Sequence, residues 1–275
     1  MVKTRITANL VLVALLAALA VSLFADVIFT KEPKIAIPFY SEAFQNIIPF
    51  REFCSREMLS GRFPFWNPYL YCGSPVFSNP EMGILYLPNF LYLFFPSCKA
   101  FNLNVVFHVF LGAFFMYLWS ARRGIKPLGR ITASVVFMFG APQILYASLG
   151  AYSNLQTLIW APLVFMAVDG MVERPAFKWA MAGGLAVMMQ IFAGHMQFTY
   201  YTGFLAVVYL MIKLCVPGKP ILDKFHSAAT FVIMYFLASA LAAVQLYPGY
   251  LWHLGGVRAG GIPYMAAASC SLPPE

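Results

Sequence analysis

The sequence predicts an all-α polytopic membrane protein, with about seven transmembrane helices and a large extracytoplasmic first loop that contains interfacial helices. Three observations lead there. Hydrophobic residues make up 61% of the chain and charged residues 10%, against about 45–50% and 25% in an average soluble domain. Uncharged runs of about 20 residues, the length that crosses a bilayer core, recur along the sequence. The lysines and arginines gather in every second connection between those runs. In a soluble protein the net charge of +8 would point to nucleic acid. Here membrane topology accounts for the positions of the cations, and nucleic acid is not an expected partner.

The first run, Ile6 to Ala25, follows Lys3 and Arg5. It is longer than a signal-peptide core and lacks a small-x-small cleavage site, so it reads as a retained helix. Residues 29–98 form the outer loop. Ala100 to Ala121 is the next span, and Arg122, Arg123, Lys126 and Arg130 after it mark a cytoplasmic connection. No charge occurs from Ile131 to Val168, and Gly140, Pro142 and Tyr152-Ser153-Asn154 divide this stretch into two crossings. Glu173, Arg174 and Lys178 return the chain to the inside. Trp179 to Ile212 is broken at Gly194-His195-Met196-Gln197 into two short spans, and Lys213, Lys219, Asp223 and Lys224 close them. A last span, Ala228 to Leu246, leads out to Tyr247-Pro248 and Arg258. The N-terminus is therefore expected inside and the first loop outside. The chain reads as one transmembrane domain over 1–275. Its Pro273-Pro274-Glu275 end, straight after a Gly- and Ala-rich stretch, reads as a truncation.

Within the outer loop, Gly61 to Pro96 is dense in proline and aromatics. Proline removes backbone donors and fixes φ, which excludes one continuous spanning helix, and the rings suit the headgroup level. Pro49 to Ser60 reads as an amphipathic surface helix. Pro49 suits its first turn, Phe50, Phe53, Cys54 and Met58 recur near helical spacing, and Gly61 ends it. Arg51, Glu52, Ser55 and Arg56 form its expected solvated side. Met82 to Phe95, interrupted by Pro88, reads as a second interfacial piece. The five cysteines show no C-x-x-C spacing and an odd count, so neither a metal site nor a disulfide framework is signalled. One bridge among Cys54, Cys72 and Cys98 is chemically open in an oxidising space, with apolar packing as the other role.

Carboxylates are scarce, and Glu32, Glu42, Glu52, Glu57 and Glu81 fall in the outer loop, with Asp26 at its edge. Such groups are expensive near lipid unless paired or used. Glu42 lies in SEAFQNIIPF with Gln45 one turn on. It suits either a general base held by an amide or a carboxylate at a helix start. His195, at an outer turn with Gln197 nearby, suits either a structural hydrogen bond or binding of a phosphate or sugar. His108 and His226 have less to recommend them. Arg62, Arg258, Lys31 and Lys34 are outer-side cations able to fork onto a phosphate or anchor to headgroups. No Walker loop, H-E-x-x-H or G-x-S-x-G occurs.

Ordered along the chain are Gln45, Pro49-Phe50, Gly61-Arg62, Pro64-Phe65-Trp66-Asn67-Pro68, Gly73-Ser74-Pro75 and Tyr86-Leu87-Pro88-Asn89. Asn154, Trp160-Ala161-Pro162, Gly194-His195-Met196-Gln197 and Gln245-Leu246-Tyr247-Pro248 follow. This series resembles YfhO-like bacterial membrane proteins, of the class of C-type glycosyltransferases that use polyprenyl-phosphate sugars. Where that family shows Gly-Asp, this chain has Ser41-Glu42, one methylene longer. The family's proteins are also longer, and the chain resembles their N-terminal portion.

The resemblance implies a multi-pass protein of the bacterial cytoplasmic membrane that moves a sugar from a polyprenyl-phosphate donor to a cell-envelope glycan or lipid acceptor at the outer face. It implies Glu42 as the catalytic carboxylate; Asp26, at the end of the first span, is the substitute offered by its position. Gln45, Arg62, Trp66, Asn67, Asn154, His195 and Gln197 are the implied substrate-binding residues, and Arg258 joins them as an outer-side cation. No cofactor and no required metal are expected. Two other readings stand beside it: a transporter or flippase of a lipid-linked substrate, and a non-catalytic membrane scaffold.

Overall fold

A chain in hydrocarbon must satisfy its N–H and C=O groups internally, which favours helix. The computed structural model describes residues 2–30, 41–70, 72–256, 259–261 and 263–269, and 77% of the structure is helical. Helix α1 (Val2–Leu23) passes into the short α2 (Ala25–Ile28). In the long loop before α4 a single wide turn, Ala43–Ile47, runs into α3 (Ile48–Leu59). Strands β1 (Trp66–Asn67) and β2 (Ser74–Pro75) pair antiparallel, with Trp66 opposite Pro75. Tight helical turns follow at Val76–Ser78, Pro80–Met82 and Leu87–Leu93. The Leu87–Leu93 turn carries Pro88 in its first turn, where no donor is lost, so the proline starts this piece and does not interrupt it.

The remaining helices are α4 (Ser97–Arg122), α5 (Pro127–Met138), α6 (Ala141–Leu149), α7 (Tyr152–Leu158), α8 (Ala161–Glu173), α9 (Phe177–Ala193), α10 (Met196–Cys215), α11 (Ile221–Leu241), α12 (Ala243–Leu254) and α13 (Tyr264–Ala268). Their breaks fall where backbone chemistry asks for them. Pro142 and Pro162 sit in the first turns of α6 and α8. Gly150 and Gly194 end α6 and α9 with φ of +73° and +101°, a region closed to most side chains.

Among the described residues, five stretches are long and apolar enough to cross a membrane: Ser97–Arg122, Pro127–Leu149, Tyr152–Glu173, Met196–Cys215 and Ile221–Leu241. Asn9–Leu23 and Phe177–Ala193 are shorter apolar helices. Burial sorts the five into layers. The apolar windows of Ser97–Arg122 and Tyr152–Glu173 are 61% and 72% buried, whereas those of Met196–Cys215 and Ile221–Leu241 are only 17% and 22% buried. The first two form the centre. The other two turn Phe204, Leu205, Phe225 and Phe236 outward. Such apolar faces are out of place in water and at home against lipid tails.

One apolar core joins α1 to α4–α7 around Leu16, Phe101 and Ile159, and a second joins α8–α11 around Met171, Val187 and Met234. Trp160 and Leu163 touch both. Asn9 fixes α1 to α4 by accepting from Tyr117 Oη at 2.7 Å.

Two expectations need correction. Arg51 and Ser55, read as part of a solvated face of α3, are buried. The 83–93 segment packs over that side, so α3 is covered on two sides. The last long helix starts at Ile221, directly after Pro220, and stops at Ala242. The residues expected to finish that span belong to a separate helix, α12, which turns back onto the long first loop, where Gln245 Nε2 donates to Phe77 O at 3.4 Å.

Candidate functional site

Four segments far apart in sequence meet at one end of the bundle. A Cβ built on Gly150 would lie 2.8 Å from Ser41 Cβ, and one on Gly194 would lie 2.2 Å from Pro80 O. Only glycine allows these approaches, which bring the 41–47 turn and the 79–82 turn onto the ends of α6 and α9. Ser41 Oγ accepts from Phe44 N at 3.4 Å, and Asn79 Oδ1 accepts from Glu81 N at 3.0 Å. Each acid-bearing turn is thus held by its own short polar side chain.

Between these turns and α3 opens a cleft of about 740 Å³, of the size of small-molecule sites. Glu42, Gln45, Asn67, Tyr69, Glu81 and the α3 side chains of Phe53 and Arg56 are among its lining. Glu42 and Gln45 are exposed to the cleft, and Glu81 is half-buried. Burial raises the Glu81 carboxyl above the usual range, and the neighbouring Glu42 pushes it the same way. Glu52 pairs with Arg56, and Glu57 pairs with Arg62 through bonds of 2.9 and 3.0 Å. Those hydrogen bonds hold the Glu57 carboxyl below its ordinary value. Glu42 and Glu81 form no ion pair among the described residues.

Of the expected site residues, the cleft gathers Glu42, Gln45 and Asn67. Asn67 is buried, and its Oδ1 accepts from Tyr69 N at 2.9 Å, so it shapes the loop as well as lining the cleft. His195 stands close enough to Glu42 to feel its charge. Its Nδ1 accepts from Phe198 N at 3.3 Å, capping α10. Burial lowers the His195 pKa, against an upward pull from Glu42. Arg62 is exposed and bound to Glu57. Trp66 is exposed and covers Gly73, where a Cβ would meet its ring at 2.6 Å. Gln197 donates to Tyr201 Oη at 2.5 Å on the outside of α10. Asp26 is exposed on α2, and neither it nor Asn154 lines the cleft. Arg258 lies outside the described residues.

Beneath the cleft runs a buried polar chain that links the loop to the central helices. Trp160 Nε1 donates to Tyr86 Oη at 2.9 Å, and Tyr86 Oη lies 2.8 Å from His108 Nε2. His108 Nδ1 contacts Asn104 O at 2.6 Å, which fixes Nδ1 as the protonated nitrogen and makes Nε2 the acceptor for tyrosine. Asn104 Nδ2 and Gln156 Nε2 both donate to Asn89 Oδ1, at 3.0 and 2.9 Å, and Asn89 Nδ2 donates to Gly83 O at 2.9 Å. At the opposite end of the bundle Asp169, buried on α8, accepts from Trp119 Nε1 and Tyr209 Oη, each at 2.8 Å, and pairs with Lys213 at 3.1 Å.

His108, Glu81 and Asp169 lie outside the site set expected from the sequence. An ionisable side chain within an apolar run was the available signal for His108 and Asp169. No family model, curated protein or solved structure matches the chain.

Proposed function

We propose that the chain is a glycosyltransferase-like protein of the YfhO-like class, acting on a polyprenyl-phosphate sugar at the outer face of the bacterial cytoplasmic membrane. The observation that carries this reading is the cleft, which sets the exposed carboxylate of Glu42 beside Gln45 at the end of the bundle. An acceptor hydroxyl in the cleft would lose its proton to Glu42 as its oxygen bonds to the anomeric carbon. The bond from that carbon to the phosphate oxygen breaks, and the polyprenyl phosphate leaves. Holding donor and acceptor together replaces a bimolecular encounter by positioning. His195, Arg62 and Arg258 are the groups we assign to the phosphate, where positive charge or a donated proton stabilises the leaving group. Tyr69, 84% exposed at the cleft, offers a ring face to a sugar.

The membrane arrangement that goes with this function has seven crossings. They are the five long stretches together with α1 and α9, with the N-terminus and the α4–α5 connection cytoplasmic. The positions of Arg122, Arg123, Lys126 and Arg130 support it. A lipid-substrate transporter would use polar groups along the bundle interior. Here those groups bond largely to one another.

The test is transfer from a polyprenyl-phosphate sugar in membranes of cells that express the gene product. Glu42→Gln keeps shape and removes the base, so turnover should fall by roughly 10²–10⁴-fold, with donor binding retained. Glu42→Asp, which restores the family's residue, should keep activity. Unchanged turnover in Glu42→Gln rejects the assignment, and loss in Asp26→Asn instead moves the role to Asp26.

A further inference from the structure

The cleft carries more negative charge than the fold neutralises. Its lining includes four glutamates, Glu42, Glu52, Glu57 and Glu81, and one arginine, Arg56. Arg56 is taken by Glu52, and Glu57 is met by Arg62. Glu42 and Glu81 are left without an ion pair among the described residues. Arg51 of α3 does not serve them, since it is buried and its Nη1 donates to Gly83 O at 2.8 Å. Burial and the charge of Glu42 both disfavour a second bare carboxylate at Glu81. A cation entering the cleft would relieve that conflict.

A second feature opens into the same space. Asn67 is 5% exposed and lines the cleft. Its Oδ1 is used by Tyr69 N. Its Nδ2 has no hydrogen-bond partner among the described residues, yet it is not sealed from water as the unpartnered Oε1 atoms of Gln156 and Gln190 are. A donor left free on an otherwise buried side chain asks for an oxygen in a ligand. Tyr69, packed edge-on against Phe53 at 5.9 Å between ring centroids, adds an exposed ring face. Such a face attracts cations and covers the apolar side of a sugar.

These groups discriminate between ligand classes. A phosphate or a uronic acid would face two carboxylates that nothing compensates. A bare metal ion would find too few ligands, because no three His, Cys, Asp or Glu side chains converge among the described residues, and a cleft of about 740 Å³ is far larger than an ion. An amine carried on a sugar ring answers each group in turn.

We propose that the acceptor bound in the cleft is an amino sugar with a free amine, its ammonium donating to the Glu81 carboxylate and one of its ring oxygens accepting from Asn67 Nδ2. Glu42 is then left for the reacting hydroxyl. The inference rests on the reading of the cleft as the acceptor site of a transferase. It makes Glu81 the residue that determines acceptor specificity, and it keeps the donor phosphate outside the cleft, away from these carboxylates.

Equilibrium binding to the purified chain in detergent tests it, with no donor present, so that the result does not depend on transfer. The probes are a glucosamine trisaccharide, its fully N-acetylated form and a galacturonic acid trisaccharide. The free amine should bind about tenfold or more tighter than the N-acetylated form, the worth of one charge-assisted hydrogen bond, and the uronate should not bind. Glu81→Gln should remove that preference and leave the affinity of the N-acetylated form unchanged. If that variant does not fold, a water-soluble carbodiimide added to the parent with the amine probe should join the amine to Glu81 as an amide, read by peptide mapping. Equal affinity for the amine and N-acetylated probes, or no binding of either, overturns the proposal. So does a preference that survives unchanged in Glu81→Gln, or an amide found only on other carboxylates. If the amine binds only after Lys31→Gln or Lys34→Gln, the counter-charge is a lysine of the chain and the proposal also fails. Absence of transfer with the amine preference intact rejects the transferase reading and leaves the amino-sugar site established.

Discussion

His195, assigned above to the phosphate by proposal, shows at the scale of one residue what a motif does for the fold. Its cap on α10 needs an unprotonated Nδ1, because an imidazolium has no acceptor. Burial depresses its pKa, so the stability it contributes is present above the ordinary histidine range and is lost as pH falls through the lowered folded value. His195→Ala should cost about 0.5–2 kcal/mol of stability, the range for a lost cap, while His195→Asn keeps an acceptor and most of that stability. Melts at neutral and acidic pH separate the two. Glu81 has the opposite sign. Its raised pKa makes the neutral form the stable one, so its contribution is complete below the ordinary carboxylate range and fades as pH rises through the folded value. Glu81→Gln should therefore match the parent at low pH and melt a few degrees higher near pH 8; equal melts at both would contradict this. Neither sign was legible in the sequence, since both depend on turns brought together from residues 42, 81 and 195. The motif around His195 was legible, because glycine and a polar residue interrupting an apolar run mark a helix boundary wherever they occur.

Between elements, glycine contacts and the buried polar chain hold the loop to the bundle. Gly194→Ala would drive a methyl into Pro80 O and force a left-handed φ on alanine. It should displace the 79–82 turn and lower both stability and transfer, while Ala193→Gly, one residue earlier, should weaken only the helix. Tyr86→Phe removes the partner of His108 Nε2 and of Trp160 Nε1. Leaving such a group unpaired costs about 1–3 kcal/mol, so with two groups left the melt should show a loss of roughly 2–6 kcal/mol. The breaks from α5 to α6 and from α9 to α10 could be read from Gly140, Pro142 and Gly194. The burial of Arg51 could not, because helical spacing tells which residues share a face and not what lies over that face. α3 has apolar residues on one side only, yet the 83–93 segment covers the other.

For the whole molecule, the native cysteines offer a direct test of orientation. Cys72 is exposed in the long first loop, Cys215 is exposed at the far end of α10, and Cys54 is buried. A membrane-impermeant maleimide on intact cells should label Cys72 and leave Cys215 until the membrane is opened; Cys54 should stay unlabelled in the folded state. The reverse order would invert the topology. Hydropathy and charge placed the long helices nearly where the structure has them, because length and the absence of charge are local properties. The return of α12 onto the loop is not local, and nothing in Ala243–Leu254 announces it.

That return sets a timetable for biogenesis. Phe77 and Gln245 are 168 residues apart, and a ribosome adding about 5–20 residues per second needs on the order of ten to thirty seconds to go from one to the other. In the topology proposed above, the nascent loop waits through that interval without its last cover. The Val76–Ser78 and Pro80–Met82 turns, which α12 packs against in the finished fold, are then open to chaperones and proteases. Arrest of translation before residue 243 should leave the loop sensitive to added protease, and release of the stalled chain past residue 254 should protect it.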